Sequence, residues 1–282
     1  MSFDARITAL RDGVAARALE GVLPAEAYLD PKPMTCAVAA AGLHRAAEAG
    51  SEQMDQLLFG EPFEVLEEEA AGWVWGQARR DGYVGFVQAS ALAPAGPAPT
   101  HRVAALRTYA FEGPSIKARA LGPYSINSLV RVEAQEGRLS KAAGAGWMTS
   151  DHLAPIGVFE GDPVAVAERF LGAPYLWGGR ESLGCDCSGL VQQAFMACGR
   201  ALPRDTDQQE RLGEAIGRQA FGRGDLVFWK GHMGLGLDAC RIVHANGHHM
   251  MVAIEPLDEA ITRIAAAGHG EPTGFRRVIP PL

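Results

Sequence analysis

The chain has 282 residues, enough for two or three domains, and its 48% hydrophobic and 21% charged composition supplies an ordinary globular core. The formal net charge of -7 disfavours non-specific binding to nucleic acid or anionic lipid, while a small amine-bearing substrate is tolerated. No basic stretch followed by an apolar one opens the sequence, and no apolar run approaches the roughly 18 residues of a membrane span. The expectation is a cytoplasmic protein with no membrane partner, whose five cysteines (Cys36, Cys185, Cys187, Cys198 and Cys240) are reduced thiols.

Taken in chain order, residues 1–30 form an N-terminal segment with a short helix expected near residues 11 to 20. Residues 31–95 follow as short apolar stretches separated by turns: "CAVAAA", "PFEVLEEE" and "GWVWGQARRDGYVGFV". Alternation in "FEVLE" and "WVWGQA" predicts strands, and "RDGY" predicts a hairpin turn in which Asp81 is structural. A Pro/Gly/Ala linker, "APAGPAPTHR" at 93 to 102, leads into residues 96–156, where "RVAALRTYAF", "SLVRVEAQEG" and "RLSKAAGAGWMT" repeat that texture. Both segments read as small five- to six-stranded barrels of the SH3 kind.

A second turn-rich break, "APIGVFEGDP", opens residues 157–282. "PVAVAERFLG" and "CSGLVQQAFMACG" predict helices. In the second, Leu190, Val191, Ala194, Phe195 and Cys198 recur at helical spacing and define one buried face, with Gly199 as C-cap. "DLVFW", "MGLGL", "RIVHAN" and "MVAIEP" then predict an antiparallel meander. Helices first and strands afterwards make this an α+β domain.

"GCDCSGLVQQAFMACG" at 184 to 199 holds three of the five cysteines. Cys185 and Cys187 are too close in sequence for an unstrained disulfide. Cys187 opens the helix, where free N–H groups and the positive helix end favour a thiolate and can stabilise an oxyanion. Cys198, on the apolar face, reads as a small buried hydrophobe. A nucleophilic cysteine needs a base. If "GHMGLGL" and "RIVHAN" form a hairpin with an odd loop, paired residue numbers sum to an even number. His232 and His244 then share a face, one facing the thiol and the other orienting the first. The rival is a Cys2His2 metal site of Cys185, Cys187, His232 and His244, but C-x-C opening a helix lacks the usual zinc spacing, so no metal is expected.

"PYLWGG", "DCSGLVQ", "PRDTDQQ", "GDLVFWKGHMG" and "VHANG" occur in that order, and together they resemble the NlpC-type family of papain-like cell-wall cysteine peptidases. The resemblance implies Cys187 as nucleophile, His232 as base, His244 as the residue orienting it, and Tyr175 in the oxyanion site. It places Asp186, Ser188, Asp205 and Thr206 near the substrate, with Arg204 pairing Asp205. "QLLFGE" and "DGYVGF" resemble the first SH3-like domain of the γ-D-glutamyl-L-diamino acid endopeptidases. That subfamily implies hydrolysis of the bond between γ-D-glutamate and the diamino acid (diaminopimelate) of murein stem peptides with a free N-terminal L-alanine, during cell-wall recycling, with no cofactor. The acid that binds the substrate amine falls on Glu52 or Asp55; Glu52 is favoured, because the family pattern puts an acid four residues before the glutamine, here Gln56. Tyr83 and Trp177 would wall that pocket. Cys185 has no assigned role. Two other readings stand beside this one: a different amide hydrolase or acyltransferase on the same fold, and a non-catalytic binder of wall peptides.

Overall fold

The computed structural model describes residues 3–278 and divides the chain into two units, Met1–Ile156 and Gly157–Leu282. The expected helix near residues 11 to 20 does not form. Leu10–Arg11 and Val14–Ala16 instead make an antiparallel hairpin, and Val14–Ala16 pairs in parallel with Ala27–Leu29. Asp12 and Gly13 form its turn, with φ of 48° and 80°. An Asp-Gly pair accepts that left-handed conformation at low cost, and here it overrides the helix-favouring Ala, Leu and Arg around it. One 3-10 turn, Arg17–Leu19, is the segment's sole helical feature among the described residues. Its strands serve the first barrel: Ala9 and Ala16 cluster with Trp73, Trp75, Val84 and Phe86.

The first barrel is a seven-stranded sheet rather than the five or six expected, in the order Leu92–Pro94, Lys32–Cys36, Pro62–Glu68, Trp73–Ala78, Val84–Gln88, Ala40–His44, Gln53–Leu58. Alternate apolar residues such as Phe63, Val65 and Val87 fill its core with Leu43, Leu57 and Tyr83. The Asp81 carboxylate accepts the Tyr83 N–H at 3.1 Å, and Gly82 sits at φ 85°, so Asp81 is a turn residue as the sequence implied. The second barrel joins a five-stranded and a three-stranded sheet around Val103, Ala110, Tyr124, Val130 and Met148.

In the second unit, α1 (Pro163–Glu168) and α2 (Cys187–Ala197) precede a six-stranded sheet. Its order is Glu214–Ala215, Gly274–Arg277, Leu226–Trp229, His232–Gly236, Arg241–Asn246, Met251–Pro256, antiparallel throughout. Every residue of α2 is buried, not one face alone, because α1, the sheet and the turn at Arg180 enclose it on several sides. Beyond the sequence reading lie the sheet strands Glu214–Ala215 and Gly274–Arg277, the short α3 (Thr206–Gln209), and α4 (Leu257–Ala266), whose Leu257, Ala260 and Ile264 pack on Val227, Trp229 and Ile242.

Candidate active site

Cys187 is the first residue of α2, and Asp186 is its N-cap. One Asp186 oxygen accepts the Gly189 N–H at 2.8 Å, satisfying one of the helix's free donors. Gly189 is required here, because a Cβ would sit 2.3 Å from the Gly179 carbonyl oxygen. The loop carrying Gly178 and Gly179 is thereby pressed onto the helix start, and Gly178 N–H donates to the other Asp186 oxygen at 2.9 Å. Arg204, expected beside Asp205, pairs with Asp186. Its guanidinium forks onto Asp186 at 2.9 and 2.6 Å and also donates to the Ser188 hydroxyl at 2.9 Å, all of it buried. The side chains of Asp186 and Ser188 are thus committed to holding the helix start.

Asp205 caps α3 in a reciprocal capping box with Gln208. That short turn brings the Thr206 hydroxyl to 3.8 Å from the Cys187 sulfur.

The hairpin register pairs Leu235 with Val243 and Gly236 with Ile242, so paired numbers sum to an even value and His232 and His244 share a face, as the spacing predicted. The His232 Nε2 lies 3.0 Å from the His244 Nδ1. Two acids and bases that the sequence reading missed continue the line. Glu255 Oε2 lies 3.1 Å from the His244 Nε2, and Arg263 on α4 donates to both Glu255 oxygens at 2.9 and 2.7 Å. Glu255 was legible in principle: it occupies the same strand face as Ala253, the partner of His244. No sequence periodicity links it to Arg263, which the unforeseen helix supplies.

His244 is fully buried. With Nε2 facing a carboxylate it carries a proton there, which makes its Nδ1 the acceptor for His232 Nε2–H. The His232 Nδ1 is then the free basic nitrogen, without a hydrogen-bond partner among the described residues. No hydrogen bond joins Cys187 to His232 in this structure, a looseness common before substrate binds.

The electrostatics correct one expectation. Burial pushes the Cys187 thiol up to about 11, and the adjacent Asp186 charge adds to it. The Thr206 hydroxyl, the Met233 N–H and Arg204 oppose that rise without cancelling it. Burial, then the neighbouring His244 and Arg263, lowers His232 to about 3. The resting pair is therefore a neutral thiol and a neutral imidazole, not the thiolate that a helix N-terminus alone would favour. Burial also lowers His244, against the pull of Glu255. Burial acts to raise the Glu255 carboxyl, but the bonds from His244 and Arg263 outweigh it and hold it well below the usual carboxylate range.

Tyr175 is half-buried on the loop before α2. Burial and the nearby Cys187 and Asp186 raise its hydroxyl, so it stays protonated and able to donate. Trp177 is 58% exposed on the same loop. Cys185 is fully buried, and burial raises its thiol, closing it to exchange with solvent. His244, His249 and Glu255 bring ligand-type atoms within 4.8 Å of one another, but the Arg263 guanidinium on Glu255 opposes a cation there.

In the first unit, Glu52 is exposed and paired with Arg45 at 2.8 Å, whereas Asp55 and Tyr83 are buried.

Residues 172–268 match the NlpC/P60 family, and residues 43–92 match the bacterial dipeptidyl-peptidase SH3 domain. A γ-D-glutamyl-L-lysine dipeptidyl-peptidase of Bacillus subtilis (strain 168) is 29% identical over 227 residues, covering 73% of this chain and 76% of that protein. A protein of the same name from Bacillus cereus is 36% identical over 105 residues, 34% of this chain and 32% of that one. The crystal structure of an NlpC/P60 family protein from Bacillus cereus superposes with a TM-score of 0.75 at 20% identity, covering 88% of this chain and all of that one.

Proposed function

We propose, from the premise that the chain is a cysteine peptidase built on an NlpC/P60 domain and a bacterial dipeptidyl-peptidase SH3 domain, that it hydrolyses the γ-D-glutamyl to diamino-acid bond of short murein peptides with a free N-terminal L-alanine. The observation that carries the reading is the hydrogen-bonded line His232–His244–Glu255–Arg263 on the sheet against which Cys187 packs from the start of α2.

In this reading the Cys187 sulfur attacks the scissile carbonyl while its proton passes to the His232 Nδ1. Transfer within the attack suits a neutral thiol–imidazole pair and avoids a stable buried ion pair. The carbonyl oxygen takes negative charge, and the Cys187 main-chain N–H and the Tyr175 hydroxyl donate to it. The C–N bond then breaks, His232 returns its proton to the leaving amine, and an acyl-enzyme remains. Water, deprotonated by His232, cleaves the thioester and restores the thiol. His244, fixed by Glu255, keeps the His232 ring in one orientation. No step calls for a cofactor.

The alignment with the Bacillus subtilis enzyme, which spans barrel and catalytic domain alike, supports the choice of bond. A place in the cytoplasm, acting on wall fragments during recycling, goes with a requirement for a free amine. The test is mass spectrometry of L-Ala-γ-D-Glu-diamino acid peptides incubated with the protein. Release of L-Ala-γ-D-Glu supports the reading, and intact peptides after prolonged incubation defeat it.

A further inference from the structure

Beside the proposed catalytic base lies a cavity of ≈ 410 Å³ that the chemistry above leaves unused. Three separate elements converge on it: Lys230 in the turn before His232, Asn246 at the end of its strand, and Arg263, Ile264 and His269 from α4 and the residues after it. No carboxylate is among the described residues that line it.

The donors facing the cavity are in part unspent. Arg263 uses Nε and one terminal nitrogen on Glu255, leaving Nη1 without a partner among the described residues. Lys230 is exposed and has no acid paired with it among them. Asn246 is 4% exposed, and its Nδ2 has no hydrogen-bond partner. Its orientation is fixed, because its oxygen accepts the His249 main-chain N–H at 2.8 Å; the nitrogen must be the orphan donor. A buried donor left unsatisfied costs about 1–3 kcal/mol, a cost that a ligand bringing an acceptor would remove. Two permanent cations and an unpaired amide call for an anion with planar acceptor oxygens.

We infer that this cavity is the subsite for the leaving residue, and that Lys230, Arg263 and Asn246 there bind a free carboxylate of the diamino acid. The inference rests on the proposed peptidase reading and names the part of the substrate that reading leaves open. Position identifies the side. His232 must hand its proton to the departing nitrogen, so a cavity walled by His232 adjoins the leaving residue. The acyl portion lies toward Tyr175 and the start of α2. The preferred peptides are then short ones, whose diamino acid ends in a carboxylate or carries one on its side chain. Arg263 and His269 are also close enough to help lower His232, so a bound carboxylate would offset that effect and strengthen the base as substrate arrives.

The experiment compares kcat/KM for paired peptides that differ by a single amidation. One pair is L-Ala-γ-D-Glu-L-Lys and its C-terminal carboxamide. The other amidates the α-carboxylate of D-Glu, on the acyl side. The wild-type protein should prefer the free leaving-residue carboxylate by about tenfold, the scale of one charge-assisted contact. Lys230→Glu, an exposed substitution in a turn, should abolish or invert that ratio while the ratio for the D-Glu pair keeps its wild-type value. A Lys230→Glu protein that changes the D-Glu ratio instead, or a wild type that cuts the leaving-residue pair equally, overturns the subsite. A protein that cuts none of these peptides overturns the peptidase reading itself.

Discussion

Asp186 and Arg204 form a two-pronged, almost fully buried ion pair one residue before the proposed nucleophile. The pair is part of the reason Cys187 has a fixed place. Asp186 caps α2, and Arg204 braces the cap from the segment leading into α3. Arg204→Met, close in volume, would leave the carboxylate buried without its cation. We expect a loss of about 3–5 kcal/mol in urea unfolding, together with lower peptidase activity. A loss below about 1 kcal/mol would show that the N–H donors alone hold Asp186.

Cys187→Ala should lower hydrolysis by at least about a thousandfold and leave the melting temperature close to that of the parent, since alanine suits the first turn of a helix. Cys185→Ala and Cys198→Ala should keep most activity. Both side chains are buried, and neither belongs to the proposed proton path. Substantial turnover by the Cys187 variant would remove it as nucleophile.

The neutral resting pair has consequences for pH. His232 titrates near 3 in the folded protein against 6.5 for an ordinary histidine, so between those values the unfolded chain binds the extra proton. Stability from the part-buried neutral ring is fully present above about pH 6.5 and is lost as the pH falls below it. His244, lowered for the same reason, adds to the trend. Glu255 acts in a more acidic window, below its ordinary 4.5, where protonation breaks its bonds to His244 and Arg263. Melting temperatures should therefore drop between pH 7 and pH 5. A flat profile there contradicts the neutral imidazoles. The same shifts place the acid limb of kcat/KM below the usual imidazole range. They also predict slow alkylation of the free enzyme by iodoacetamide at pH 7, accelerating toward pH 11.

The catalytic half was the more legible because its residues are placed by local rules. Asp-Cys-Ser-Gly reads as an N-cap and helix start, and the even register that joins His232 to His244 follows from strand parity. Glu255 was legible only through strand parity, and the contacts of Arg263 and Arg204 were not legible in the same way. Arg204 reaches Asp186 from 18 residues away and Arg263 reaches Glu255 from a helix the pattern did not foresee, and nothing periodic announces such contacts. The N-terminal hairpin failed for the opposite reason. Its composition favours a helix, and a single Asp-Gly turn together with packing on Trp73, Trp75 and Phe86 decides otherwise. The same Arg-Asp-Gly triplet at 80 to 82 was read correctly, because clear strand alternation flanks it.

The acid proposed to bind the substrate amine provides the last prediction. Glu52, favoured by sequence pattern, spends its carboxylate on Arg45 at the surface, where solvent screens an ion pair to little value. Asp55, three residues on and inside the strand Gln53–Leu58, is completely buried, and a carboxylate in so dry a setting is worth far more to an ammonium group. We therefore expect Asp55 to carry the selectivity. Wild-type protein should cut L-Ala-γ-D-Glu-diamino acid at least about a hundredfold faster than the same peptide with its α-amine acylated, by acetyl or by N-acetylmuramate. Asp55→Asn should collapse that ratio for the acetyl pair, chiefly by slowing the free-amine peptide. The muramyl peptide should stay slow because of its bulk. Glu52→Ala should leave the ratio within about threefold of wild type, as befits an exposed pair. The ratio is the informative quantity, since a variant that merely folds poorly loses both rates together. If Glu52→Ala collapses the ratio and Asp55→Asn does not, the surface carboxylate is the amine site after all. If wild-type protein cuts free and acylated peptides equally well, there is no amine site, and an enzyme of the intact wall replaces one of its released fragments.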